Sequence, residues 1–117
     1  VLFEGHFRRN FIHIIDVVRV FNFGLENFDK MKSNTFNVGL SNANLTKIEL
    51  CEEIKKQVPD FFFHEADIGK DPDKRDYIVS NKKIERIGFT TTKNLQDGIK
   101  ELIKGNTMIQ NKLYTNI

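Results

Sequence analysis

The hydrophobic period of the chain changes at Asp16, and that change limits what the chain can fold into. Phe11 to Ile14 alternates without Gly or Pro and reads as a short strand. Asp16 follows at the place where an N-cap side chain accepts the first free helix amides. Beyond it, Val17, Val20, Phe21, Gly24, Leu25 and Phe28 recur at three- and four-residue spacing, with Arg19, Asn22 and Glu26 opposite. That pattern predicts an amphipathic helix with one dry face.

The same reading continues downstream. Thr35 to Val38, closed by Gly39, predicts a second short strand after the polar stretch 29–34. Thr46 with Glu49 is a capping box, and Ile48, Leu50, Cys51, Ile54 and Val58 carry an apolar stripe up to Pro59, with Glu52 and Lys56 able to pair on the wet side. Phe61 to His64 predicts a strand buried on both faces or covered by something outside this chain. A charged loop, 69–75, turns at Asp71-Pro72-Asp73. Tyr77 to Val79 could add one more strand, and Ser80 caps a brief helix to Arg86 that Gly88 stops. Asn94 caps a last helix bearing Leu95, Ile99, Leu102 and Ile103, with Gly105 beyond its end. Short strands among three good helices predict an α/β unit, or α+β if the chain stands alone, over residues 1–105, with 106–117 as a tail.

With 117 residues there is room for one domain and one modest core. No apolar run approaches the roughly 20 residues that span a bilayer, and the single cysteine, Cys51, has no internal disulfide partner. With no evident leader, a cytoplasmic location and no membrane contact are the expectations. A net charge of +2 suits anionic ligands but falls short of the footprint of a dedicated nucleic-acid binder. Eleven phenylalanines and no tryptophan predict either a core or a face that expects a partner.

Three elements in order carry a resemblance to a known family. Arg9-Asn10-Phe11-Ile12-His13 with Asp16 is similar to an Arg-Asp-Phe-Ile-(His/Tyr) strand leading into an Asp-capped helix, with Asn10 in place of the usual Asp. Phe36-Asn37-Val38-Gly39 is similar to an aromatic-Asn-(Val/Ile)-Gly strand. Lys74-Arg75-Asp76, Ser80 to Ile84 and Gly88-Phe89 resemble an Arg-bearing loop, a short Lys-bearing helix and a Leu-Gly-Trp ending. From about Gly5 to Lys104 the chain thus resembles the carboxyl-terminal, substrate-binding portion of the extended short-chain dehydrogenase/reductases, the NAD-dependent sugar-nucleotide epimerases and dehydratases.

The resemblance implies that Arg9 and Arg75 grip the diphosphate of a nucleotide sugar, a task suited to the guanidinium fork. The plainer alternative makes either Arg a solvated charge or a partner of Asp76 or Asp73. The resemblance further implies that NAD(P) belongs to the intact enzyme and not to this chain, which lacks Gly-x-Gly-x-x-Gly and has Asn81 four residues after Tyr77 where Tyr-x-x-x-Lys needs Lys. No catalytic, cofactor-binding or metal-ligating residue is therefore assigned. Asp16 reads as structural, His13 as a packed imidazole and Cys51 as core; His6 and His64 lack ligand spacing for zinc. The partners implied are the missing Rossmann portion or a partner subunit, or a second copy of the chain.

From another class comes a polyanion-binding module using Lys70, Lys74, Arg75, Lys82, Lys83 and Arg86. Asp67, Asp71, Asp73, Asp76 and Glu85 interrupt that cluster, so nucleic acid is not the expected partner. A degenerate relative serving only as an interaction surface is the third reading.

Overall fold

In the computed structural model, which describes residues 1–66, 68–70 and 72–109, the chain is a small mixed unit of five helices and a two-stranded sheet. Strand β1, Arg8–Asn10, pairs antiparallel with β2, Asn44–Thr46, in the register Arg8 to Thr46, Arg9 to Leu45 and Asn10 to Asn44. Helix α1 spans Ile14–Glu26, and α2, Phe28–Met31, adds one turn after Asn27. β2 runs straight into α3, Lys47–Gln57, because Thr46 ends the strand and caps the helix. There the capping box forms: the Thr46 hydroxyl accepts from the Glu49 amide and the Glu49 carboxylate from the Thr46 amide, at 3.1 and 2.7 Å. Helices α4, Lys82–Glu85, and α5, Leu95–Met108, complete the order, and α5 lies against α3.

The expected Phe11 to Ile14 strand does not form, since the strand is Arg8–Asn10 and α1 already starts at Ile14, and at two further places side-chain amides stand in for ladder bonds. The run ending at Gly39 is not a strand. Its neighbour Leu40 is instead held by Asn10, whose Oδ1 accepts from the Leu40 amide and whose Nδ2 donates to the Leu40 carbonyl, both at 2.8 Å. Tyr77 to Val79 is likewise outside the sheet, because Asn44 holds Val79 in the same way at 2.8 and 3.1 Å. The two amides meet at 3.0 Å. An Asp at position 10 would offer acceptors only, so the Asn here supplies the donor that the Leu40 carbonyl requires. Gly39 belongs to this clamp: a Cβ there would lie 2.3 Å from Asn10 Oδ1. Phe61 to His64 also forms no strand; a single parallel bridge joins Leu2 and Glu65, and Phe62 is exposed.

The helix ends differ too. α1 begins two residues before Asp16, with His13 as N-cap: its Nδ1 accepts from the Ile15 amide at 3.1 Å. Asn81, not Ser80, precedes α4, and its side chain makes no capping bond. Asn94 caps α5 as the sequence suggests, accepting from the Asp97 amide at 2.8 Å. Gly105 does not end that helix, which continues to Met108 across the expected tail boundary, while residues 110–117 lie outside the described residues. On α3, Lys56 pairs with Glu53 rather than Glu52.

Asp16, set free from the cap, is fully buried. Its carboxylate accepts from the Thr92 amide and hydroxyl, the Lys93 amide and the Arg19 guanidinium, at 3.0, 2.9, 3.0 and 2.6 Å. Burial alone pushes an acid's pKa up, but these donors outweigh it and bring Asp16 down to about 2. Arg19 also lies over the ring of Phe89, itself buried against Phe23. With Leu40, Ala43, Cys51, Ile84 and Ile99, Phe89 makes up a small buried core.

The dry face of α1 is narrower than its sequence pattern. Val17, Val20 and Gly24 are half-buried as expected, whereas Phe21, Leu25 and Phe28 are exposed, together with Ile14 and Val18. Ile14, Val18, Phe21 and Leu25 recur at helical spacing along α1 and form one apolar stripe, while Phe28 follows beyond Asn27 in α2, and each is more than half exposed.

Two predictions follow from this packing. Asp16→Asn puts an amide donor against amide donors and should lower the unfolding free energy by about 2 to 3 kcal/mol in urea titrations. Because the folded pKa lies below the unfolded value, the carboxylate stabilises the fold above pH ~4. That contribution, about 2 kcal/mol, should fade as pH falls from there through about 2; an acid titration that Asp16→Asn leaves unchanged would contradict it. Phe21→Glu should shift stability by no more than about 0.5 kcal/mol while reducing binding of anilinonaphthalene sulfonate, and equal dye binding would place the apolar surface elsewhere.

Candidate functional site

Arg9 lies at the centre of β1, opposite Leu45, with its neighbours' backbone groups committed to the ribbon. Its guanidinium therefore projects from a fixed strand, and it is further restrained by donating to the Arg8 and Asp73 carbonyls, both at 2.8 Å. The Tyr77 ring lies beneath it, with the guanidinium carbon 5.4 Å from the ring centroid. Packed this way, the Arg9 side chain is 13% exposed.

Arg75 comes from the loop before α4 and is 72% exposed. Its Nε and Nη2 form a two-pronged contact with the Asp73 carboxylate at 2.6 and 2.5 Å. Arg9 Nη2 reaches the same carboxylate, at 3.3 Å from Oδ1. The plainer reading, pairing with Asp73, is thus realised by both arginines, and that shared contact brings both guanidinium groups to one small anion. Asp76, the other acid considered, is taken by Arg8 through Nε and the backbone amide, at 3.1 and 2.9 Å.

The electrostatics follow from these contacts. The Arg75 hydrogen bond is the chief cause that holds the Asp73 carboxyl well below the usual range, with Arg9 adding a smaller pull in the same direction. Arg75 is raised in turn, first by its hydrogen bond to Asp73. Arg8 and Asp76 form a second mutually stabilised pair. Three guanidinium groups thus face two carboxylates across β1 and the 73–76 loop, with Glu49 adding a further negative charge near Arg8.

A second feature is an apolar hollow of about 770 Å³ between the start of α1, α3 and α5, walled by Ile12, Ile15, Ile54, Leu95, Ile99 and Leu102 among others. On its rim His13 Nε2 meets Glu101 at 2.9 Å, and Glu101 also takes Lys93 at 2.5 Å. Lys93 holds the Glu101 carboxyl below its ordinary value, and Lys93 is itself raised. Nδ1 of His13 accepts from the Ile15 amide at the start of α1 and Nε2 faces Glu101 on α5, so both ring nitrogens are engaged within the fold. Cys51 is buried in α3, where burial pushes its thiol up. Among the described residues no group of three or more His, Cys, Asp and Glu is placed to hold a metal ion. No helix of the described residues is long and apolar enough to cross a membrane.

The alternative cationic cluster is partly spent on internal contacts. Lys83 donates to Asn34 and the Thr35 carbonyl and lies over the Phe36 ring, and Arg75 is held by Asp73. Asp67 and Asp71 lie outside the described residues. Sequence reasoning singled out Arg9 and Arg75 but not Asp73 as the group joining them, nor Tyr77 beneath Arg9. The Asp-x-Arg spacing was the available signal for the first. Nothing local marks the second, since the contact joins positions 9 and 77.

No protein-family model matches the sequence. The difference in exposure of the two arginines gives a direct test of the site's geometry. Phenylglyoxal should modify Arg75 several times faster than Arg9, read by mass spectrometry of the adducts; equal rates would contradict the shielding of Arg9 by Tyr77 and the Asp73 carbonyl.

Proposed function

We propose that the chain is a nucleotide-sugar-binding portion related to the NAD-dependent sugar-nucleotide epimerases and dehydratases, which grips a diphosphate with Arg9 and Arg75 and does not turn over by itself. One observation carries the reading: two arginines separated by 66 positions, chosen from the sequence on the strength of their motifs, converge on a single carboxylate. A carboxylate and a phosphate present similarly spaced oxygens to a guanidinium fork, so a place that suits one suits the other. The Asn10 clamp lends further support by drawing together the first and second motif segments at Leu40.

The described glycines do not fit a dinucleotide. Gly24, Gly98 and Gly105 lie inside helices, Gly5 and Gly39 are pressed against side chains, and none opens a helix after a strand. On this reading NAD(P) belongs to a further portion or a partner subunit, and no chemical step is assigned to these residues. The exposed stripe on α1 is consistent with a face that such a portion, or a second copy, would cover.

The test is a titration with uridine diphosphate at constant ionic strength, followed by chemical shifts or calorimetry. Arg9→Ala should weaken binding by about 1.5 to 3 kcal/mol, the range for a hydrogen bond to a charged group. If uridine diphosphate competed no better than inorganic salt at equal ionic strength, the grip would be non-specific and the polyanion reading would replace it.

A further inference from the structure

Resting on the diphosphate reading, we propose that Asp73 is a displaceable occupant of the site. Its carboxylate takes the place of a phosphate group between Arg9 and Arg75, so that ligand binding is a competition with the chain's own loop. The geometry is that of a bound anion. Arg75 contributes Nε and Nη2 to the two carboxylate oxygens at 2.6 and 2.5 Å, and Arg9 approaches Oδ1 at 3.3 Å from the other element.

The two sides of this contact differ in kind. Arg9 is set by the strand pairing, by Tyr77 and by its bonds to the Arg8 and Asp73 carbonyls, so it stays in place without the carboxylate's help. Asp73 and Arg75, two residues apart on one loop, make a local pair that is open to water, with side chains 39% and 72% exposed. An exposed ion pair shifts an equilibrium by no more than about fivefold. A diphosphate carries at least twice the charge of the carboxylate, so it can displace Asp73 from both guanidinium groups, breaking the Asp73 side chain's bond to the Arg75 amide as well. The site is thereby shielded from weak monoanions and admits stronger ones. Its affinity is set by how firmly the loop holds its own acid.

Asp76 provides a matched control, since it bears the same charge three residues on but serves Arg8. Uridine diphosphate and inorganic pyrophosphate should be titrated into the wild-type chain, Asp73→Asn and Asp76→Asn at one ionic strength. Asp73→Asn should bind both probes about three- to tenfold more tightly than the wild type, from release of the exposed Arg75 pair and of the Arg9 contact, with Asp73→Ser repeating the gain. Asp76→Asn should gain less than half as much. If wild type binds uridine diphosphate and the Asp73 and Asp76 variants gain equally, only net charge is at work; the competition is then overturned while the diphosphate reading stands. If no variant binds either probe, the diphosphate reading fails and the competition with it.

Discussion

The buried carboxylate of Asp16 is the contact on which the arrangement of helices depends. It sits in the first turn of α1 and accepts from two amides and a hydroxyl of Thr92 and Lys93, 76 and 77 positions away. A buried carboxylate is costly unless its oxygens are filled by donors, and four donors fill them here. The segment leading into α5 must therefore lie against the start of α1. Phe89 is thereby brought under Arg19 and beside Phe23, and His13 is brought to Glu101 on α5. Placing Asp16 in the helix rather than before it leaves the N-cap to His13, so one residue's loss of a local role creates the long-range one.

What could be read in the sequence was whatever is settled within one turn of chain. The Thr46 and Glu49 box, the Asn94 cap and the apolar stripe of α3 depend on neighbours three or four residues away, and each forms. The Asp16 cap had an equally good local pattern and failed because distant amides competed for its oxygens. The strands failed for a related reason. Phe36 to Val38 and Tyr77 to Val79 have strand-like composition, but Asn10 and Asn44 satisfy Leu40 and Val79 by side-chain amides, which ends the sheet after two strands. Propensity records a preference for extended backbone and does not say which group will pair with it.

The sequence marked Arg9 and Arg75, and named Asp73 and Asp76 as acids that either could pair with, but not the one acid that joins them. Arg9 and Arg75 stood out because they occupy positions in ordered motifs, and a guanidinium is informative wherever phosphate is a candidate ligand. Asp73 was marked only as one of two acids that either arginine could pair with, and its Asp-x-Arg spacing bears on Arg75 alone. Only the pairing of β1 with β2, together with the course of the 73–79 segment beside Arg8 and Asn44, brings Arg9 to that acid. The contact is a product of tertiary structure, as is the stacking of Arg9 on Tyr77.

The exposure of Arg75 bears on how strong such a grip can be. In water a guanidinium gains little from a single anion, because each was well solvated beforehand; the same fork becomes strong when a wall of low polarity excludes water from the contact. Arg9 has part of such a wall in Tyr77, and Arg75 has none among its described contacts. The chain meanwhile leaves the α1 stripe of Ile14, Val18, Phe21 and Leu25 in water, at a cost that a covering surface would relieve. On the proposed reading both deficits have one physical remedy: apolar surface brought from outside this chain would bury the stripe, and a wall over the 73–76 loop would strengthen the arginines' hold on a diphosphate. The strength of binding by this chain alone then measures how much of the grip its own residues supply.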